Sequence, residues 1–145
     1  VLQGREAWAT AGDWIAQVNP RFSFWVSERY MTGRSVSDTE VDKAREERQE
    51  VIKRIDEVTE GGAVVCLPTA PAPAPPLGQS LADRRDMLSR IVSLTCGAGT
   101  TGRPQISVPV GEIDGMPVGL SFIGERGSDE LLISLAGRLM AQLAD

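Results

Sequence analysis

Leu94–Glu125 reads LTCGAGTTGRPQISVPVGEIDGMPVGLSFIGE, and the rest of the chain has to pack around it. The stretch predicts a loop, a strand, a tight turn and a second strand. Ile106, Val108 and Val110 alternate with polar or small neighbours, as do Val118, Leu120 and Phe122. A period of two sets one face of each strand against a core. Asp114-Gly115 falls between them and tolerates the positive φ that a two-residue hairpin turn demands. Pro109 and Pro117 cannot donate to a ladder, so each belongs at a strand start, an edge or a bulge. Gly97, Gly99 and Gly102 let the backbone approach something closely, either another helix or a ligand.

Upstream, Ser80 or Asp83 opens a helix whose apolar positions are Met87, Leu88, Ile91, Val92 and Leu94. Ala63 to Leu67 is a short apolar run suited to a buried strand. The following Pro68–Pro76 run is either a polyproline linker or a stiff loop crossing the sheet's end, and its place after a buried strand favours the loop. Downstream, Ser128 caps a helix that turns Leu131, Leu132, Leu135, Ala136, Leu139, Met140 and Leu143 to a core. The N-terminal part is helical. Residues 2–18 carry Trp8, Ala11, Ile15 and Val18 at helical spacing and stop at Asn19-Pro20. Residues 22–32 form a short helix with Gly33 as its C-terminal cap. Ser37 and Glu40 make a capping box for a long helix. That helix buries Val41, Ala44, Val51, Ile52, Ile55 and Val58, exposes a charged face with Glu50 and Arg54 spaced to pair, and ends at Gly61-Gly62. The whole predicts an α/β fold: a mixed β-sheet with a β-hairpin, helices on both faces, a helical lead-in over 1–60 and the sheet part over 61–145.

The chain has 145 residues, 41% hydrophobic and 24% charged, enough for one domain with a core. Its net charge of −5 and lack of a basic cluster exclude a nucleic-acid partner. No apolar run is long enough to span a bilayer, and the expected location is cytoplasmic. Cys66 and Cys96 have no metal-type spacing; they form one disulfide or, as the reading prefers, two free buried thiols. There is no histidine, which removes Ser-His and Cys-His catalysis. The only lysines are Lys43 and Lys53. The chain starts at Val1 with a helical pattern already running, as in a trimmed or processed polypeptide.

LTCGAGTTGRPQISVPVGEIDGMPVGLSFIGERGSDELLISLAGRL resembles the C-terminal end of amidase-signature enzymes. The resemblance extends to AVVCLPTAPAPAPPLG and LQGREAWATAGDWI. It implies the C-terminal part of that fold, and hydrolysis of a linear amide to acid plus ammonia by a serine nucleophile, a second serine on a cis peptide and a lysine base. It implies no cofactor and no metal. The family's Gly-Gly-Ser-Ser-Gly signature does not occur here. Lys53, beside Glu50, Asp56 and Glu57, is held protonated and is no base. The expectation is therefore roughly a C-terminal third with no catalytic residue, inactive by itself. By matching positions the acyl-pocket wall is Pro68 and Thr69 with Ser89, Val92 and Cys96, the last three on one helical stripe; the competing reading of that stripe is core packing. The Asn that some amidases place near Gly99 and the acidic residue that the glutamine-amidotransferase branch has near Val92 are missing, which speaks against an amidotransferase substrate and favours a less polar amide. Nothing lowers the pKa of Cys96, so it reads as a buried structural thiol. Arg103 and Arg126 read as surface salt bridges before substrate contacts. Trp8, Trp14 and Trp25 cluster and pack on the missing part. The implied partners are a small amide in the complete enzyme, the N-terminal remainder of the same protein, and a second copy through self-association. The alternative is a non-catalytic binding or assembly module.

Overall fold

A computed structural model describes residues 1–143, without the side chain of Leu81. The helices are α1 (Leu2–Val18), α2 (Phe24–Ser35), α3 (Asp38–Thr59), α4 (Leu81–Thr101) and α5 (Asp129–Leu143). The strands are β1 (Val65–Pro68), β2 (Gln105–Ile113) and β3 (Met116–Ile123). Two compact units divide at Glu50, within α3.

In the unit Val1–Glu50, α1 ends where Asn19 turns left-handed (φ 44°) and its N–H reaches Ile15 O at 2.9 Å. Gly33, expected as a cap, lies inside α2 and is buried. The reason is a helix crossing: a Cβ at Gly4 would sit 3.3 Å from Gly33 Cα, so two glycines let α1 and α2 touch backbone to backbone. The three tryptophans do not form one cluster. Trp14, Phe22 and Tyr30 make a row with centroid separations of 6.2 and 5.4 Å. Trp8 lies under the Arg34 guanidinium at 5.4 Å, and Trp25 meets Phe24 edge-on.

The capping box forms as the spacing dictates. Ser37 N–H and Oγ–H both donate to Glu40 Oε2 (2.8 and 2.7 Å), and Glu40 N–H donates to Ser37 Oγ at 3.3 Å. The Ser37 backbone N–H first, then its hydroxyl, hold the Glu40 carboxyl below the ordinary glutamate range. A lowered carboxylate pKa stabilises the fold above the unfolded value and loses that contribution as pH falls through the folded value. Ser37→Ala is expected to cost about 1 kcal/mol. Helicity of the chain should fall as acid titrates Glu40, and this step should vanish in Glu40→Gln; circular dichroism against pH checks both.

In the unit Val51–Asp145, the Asp-Gly hairpin closes with φ 52° at Asp114 and 73° at Gly115. The sheet order is β1-β3-β2. Both pairings are antiparallel, so the mixed sheet expected does not occur among the described strands. β1 and β2 run parallel to each other and are joined through α4, but β3 lies between them, so no parallel pair is hydrogen-bonded. β1 is also not a buried central strand but an edge, and Cys66 on it is exposed. The ladder bulges between Pro109 and Gly111. Thr69 N–H donates to Gly119 O at 2.9 Å and Gly124 N–H to Pro104 O at 3.2 Å. By strand alternation, Pro68 and Pro109 therefore face the two free rims of the sheet, where no N–H is missed.

One sheet face carries Ile106, Val108, Val110, Leu120 and Phe122. α5 covers it with Leu132 (1% exposed), Ala136, Leu135 and Leu139. Leu131, Met140 and Leu143 point away, so only one side of the predicted α5 stripe is buried in this chain. The same holds for α3, where Ile52 and Ile55 are half-buried but Val51 and Val58 are exposed. α4 lies over the other sheet face, with a Cβ at Gly97 falling 3.8 Å from Ile123 Cδ1. Helices thus lie on both faces. α4 starts at Ser80, whose Oγ accepts from Asp83 N–H at 3.2 Å, and it runs through the segment expected as a loop. Gly97 and Gly99 are helical, and Gly102 (φ 67°) is the left-handed cap. No helix among the described residues is long and apolar enough to cross a membrane.

Candidate functional site

α4 and the Pro-rich segment after β1 enclose a hollow of about 390 Å³ over the second sheet face. The segment supplies Ala70, Ala72 and Pro73, α4 supplies Met87 and Ile91, and the strands supply Ser107, Pro109 and Gly119. No charged side chain is among the described lining residues. The segment thus packs as a loop beside the sheet and α4.

At the floor of the hollow stands a row of hydroxyls. Thr69, one residue past β1, places Oγ1 at 2.6 Å from Ser107 Oγ on β2 and 2.9 Å from Ser121 Oγ on β3. Ser121 is fully buried at 0% exposure, Thr69 is half-buried and Ser107 is exposed. Gly119 makes room for the row. A Cβ there would lie 2.9 Å from Thr69 Oγ1 and 3.0 Å from Ser107 Oγ. Three strand segments are thereby tied at the root of the Pro-rich wall.

Of the residues expected as pocket wall, Thr69 lines this hollow and Pro68 joins it to β1. Ser89, Val92 and Cys96 lie on a different stripe of α4 and are exposed, Val92 at 45%. They are therefore not core packing within this chain. Met87 and Ile91, read only as core positions, face the hollow instead. Ser107 and Ser121 were legible only as the polar members of the strand alternation. Both cysteines are free and exposed, which corrects the expectation of buried thiols.

A second hollow gathers Asp56, Glu57, Thr59, Glu60, Arg103, Glu125 and Arg126. Arg103 was expected as a surface salt bridge, and it is buried. Its Nη1 donates to Thr59 Oγ1 at 2.9 Å and to Gly124 O at 3.3 Å, and its Nη2 pairs with Asp56. Its Nε has no partner. Arg126 Nη2 donates to Thr101 O at 2.7 Å and so satisfies a C-terminal carbonyl of α4. These arginines join the end of α3, the end of α4 and the exit of β3. Of the two candidate bases, Lys43 is exposed and paired with Glu47 at 3.9 Å, and Lys53 is exposed on α3.

Helices over both faces of a small sheet, with a Pro-rich wall at one end, define the class of fold. A crystal structure of an amidase matches with a TM-score of 0.75 at 26% identity, over 96% of this chain and 33% of that one. Kluyveromyces lactis allophanate hydrolase carrying S177A matches with a TM-score of 0.83 over 95% of this chain and 23% of that one; at 24% identity it shows the fold only. The model of the family described as Amidase matches residues 13–133, and the chain belongs to that family. Amidase 1 of Arabidopsis thaliana is 34% identical over 141 residues, which are 97% of this chain and 33% of the relative. A protein of Pisum sativum named Translocon at the outer membrane of chloroplasts 64 is 30% identical over 132 residues, 91% of this chain and 22% of that protein. The chain spans about a third of the length of the plant Amidase 1 proteins it matches.

Proposed function

We propose that this chain is the C-terminal part of an amidase that hydrolyses a linear carboxylic amide to acid plus ammonia, and that both its units belong to one amidase-signature domain. Its role is to supply pocket wall and scaffold, while the serine nucleophile and lysine base belong to the remainder of the enzyme. The observation that carries this reading is the match across 97% of this chain to 33% of an amidase. The exposed stripe Ser89, Val92 and Cys96 completes the acyl pocket against that remainder, beside the wall rooted at Pro68 and Thr69. Gly99 supports the same docking: it is helical, yet a Cβ there would meet nothing within 4 Å. A glycine that the helix does not need marks where another backbone comes close. Uncovered apolar residues on α4 and α5 also favour self-association of the isolated chain. The uncharged hollow favours an amide of low polarity, and the expected compartment is the cytoplasm.

The 145-residue chain is expected to release no ammonia from benzamide or isobutyramide. Joined to the corresponding N-terminal two thirds of Arabidopsis thaliana Amidase 1, it is expected to restore release. Turnover by the chain by itself, lost on Ser89→Ala, would overturn this reading. The second reading, a non-catalytic binding or assembly module, is favoured by the likeness to the pea protein whose name places it in a translocon. An upstream coding sequence with a Ser/Gly-rich signature and a lysine removes it.

A further inference from the structure

The hydroxyl row has a direction. Each hydroxyl carries one proton and two acceptor lone pairs. Ser121 is fully buried, and its hydrogen-bond partner is Thr69 Oγ1 at 2.9 Å. A buried hydroxyl proton without an acceptor is costly, so Ser121 donates to Thr69. A hydroxyl that accepts becomes the better donor, so Thr69 donates onward to Ser107 across the 2.6 Å contact. Three protons serve two contacts, and the one left over sits on Ser107, the exposed end that opens into the hollow.

We propose that Ser107 is a ligand-binding donor, polarised through Thr69 and Ser121, that takes the carbonyl oxygen of a small neutral ligand whose apolar body lies between Pro73, Met87 and Ile91. A charged ligand would find no countercharge among the described lining residues, whereas an amide or ketone oxygen is what one free O–H at the end of an apolar hollow can satisfy. This deepens the pocket-wall reading and rests on it for the ligand class.

The test uses the whole chain, with benzamide and toluene as probes and amide chemical shifts in NMR titrations as readout. Benzamide is expected to perturb residues around the hollow. Ser107→Ala should weaken benzamide binding about fivefold, the worth of one net hydrogen bond, Thr69→Val should weaken it by less than about twofold because only the polarisation is lost, and both should leave toluene unchanged. Thr69→Ser should restore it, because the relay needs the hydroxyl and not the methyl. Equal benzamide affinity in Ser107→Ala and the parent, or no benzamide binding by the parent, overturns the proposal. Equal loss of both probes also overturns it, since the residue would then only shape the hollow. Ammonia release by the joined enzyme is read separately, so the amidase reading survives or fails independently.

Discussion

Asp56→Ala is expected to destabilise the unit Val51–Asp145 by about 3 kcal/mol, more than its own exposure suggests. The Asp56 side chain is 53% exposed, and a carboxylate at such a site ordinarily contributes little. Its partner decides the outcome. The Arg103 side chain is only 3% exposed, and a guanidinium stays charged at any accessible pH. Removing Asp56 leaves that cation buried with neutral acceptors only, Thr59 Oγ1 and Gly124 O, and with Nε already unpartnered. Arg103→Met fills the same volume without charge and lets Asp56 return to water. It should cost less, about 1 to 2 kcal/mol for the two hydrogen bonds lost. Urea unfolding of both variants checks the order. If Arg103→Met proves the more damaging, the burial of the cation is not what sets the cost.

Gly33→Ala is expected to cost about 2 kcal/mol net, although alanine is the better helix former by about 1 kcal/mol. The added Cβ would run into the Gly4 carbonyl, and that obstacle is backbone, which cannot rotate aside. α1 and α2 must separate, loosening the packing around buried Ile15. Gly99→Ala is the matched control. It also lies in the last turn of its helix but has open space around it, so the same substitution should stabilise the isolated chain by up to about 1 kcal/mol. Thermal unfolding of the pair reads both signs. Stabilisation by both would mean that the crossing is not tight.

These opposite expectations for two glycines show where the sequence speaks and where it does not. The hairpin, the Ser37 box, the α1 boundaries and the stop at Gly61-Gly62 were legible because each rests on a few neighbouring residues. Gly33 and Gly97 were misread: the reason for Gly33 lies across space at the α1 crossing, and Gly97 is helical where a loop was expected. Local rules see a helix breaker at both. The Ala63–Leu67 run was read as a buried strand from its apolar residues, but sheet order is a property of partners, and here β1 has one. The site was half legible. The resemblance pointed to the Pro-Thr corner, and Thr69 is there. Met87 and Ile91, read as core, are the α4 residues that face the hollow, while Ser89, Val92 and Cys96 lie on another face, because periodicity gives a helix's faces without saying which way each looks.

The prolines at the two rims bear on what a concentrated solution of this polypeptide will do. A sheet of three strands with bare sides invites further chains to stack on it, and repeated stacking is how fibrils grow. Pro68 and Pro109 each withhold the hydrogen that an incoming chain would need at its docking position. Growth by strand addition is disfavoured at both rims, so any association of this chain should yield small particles and not threads.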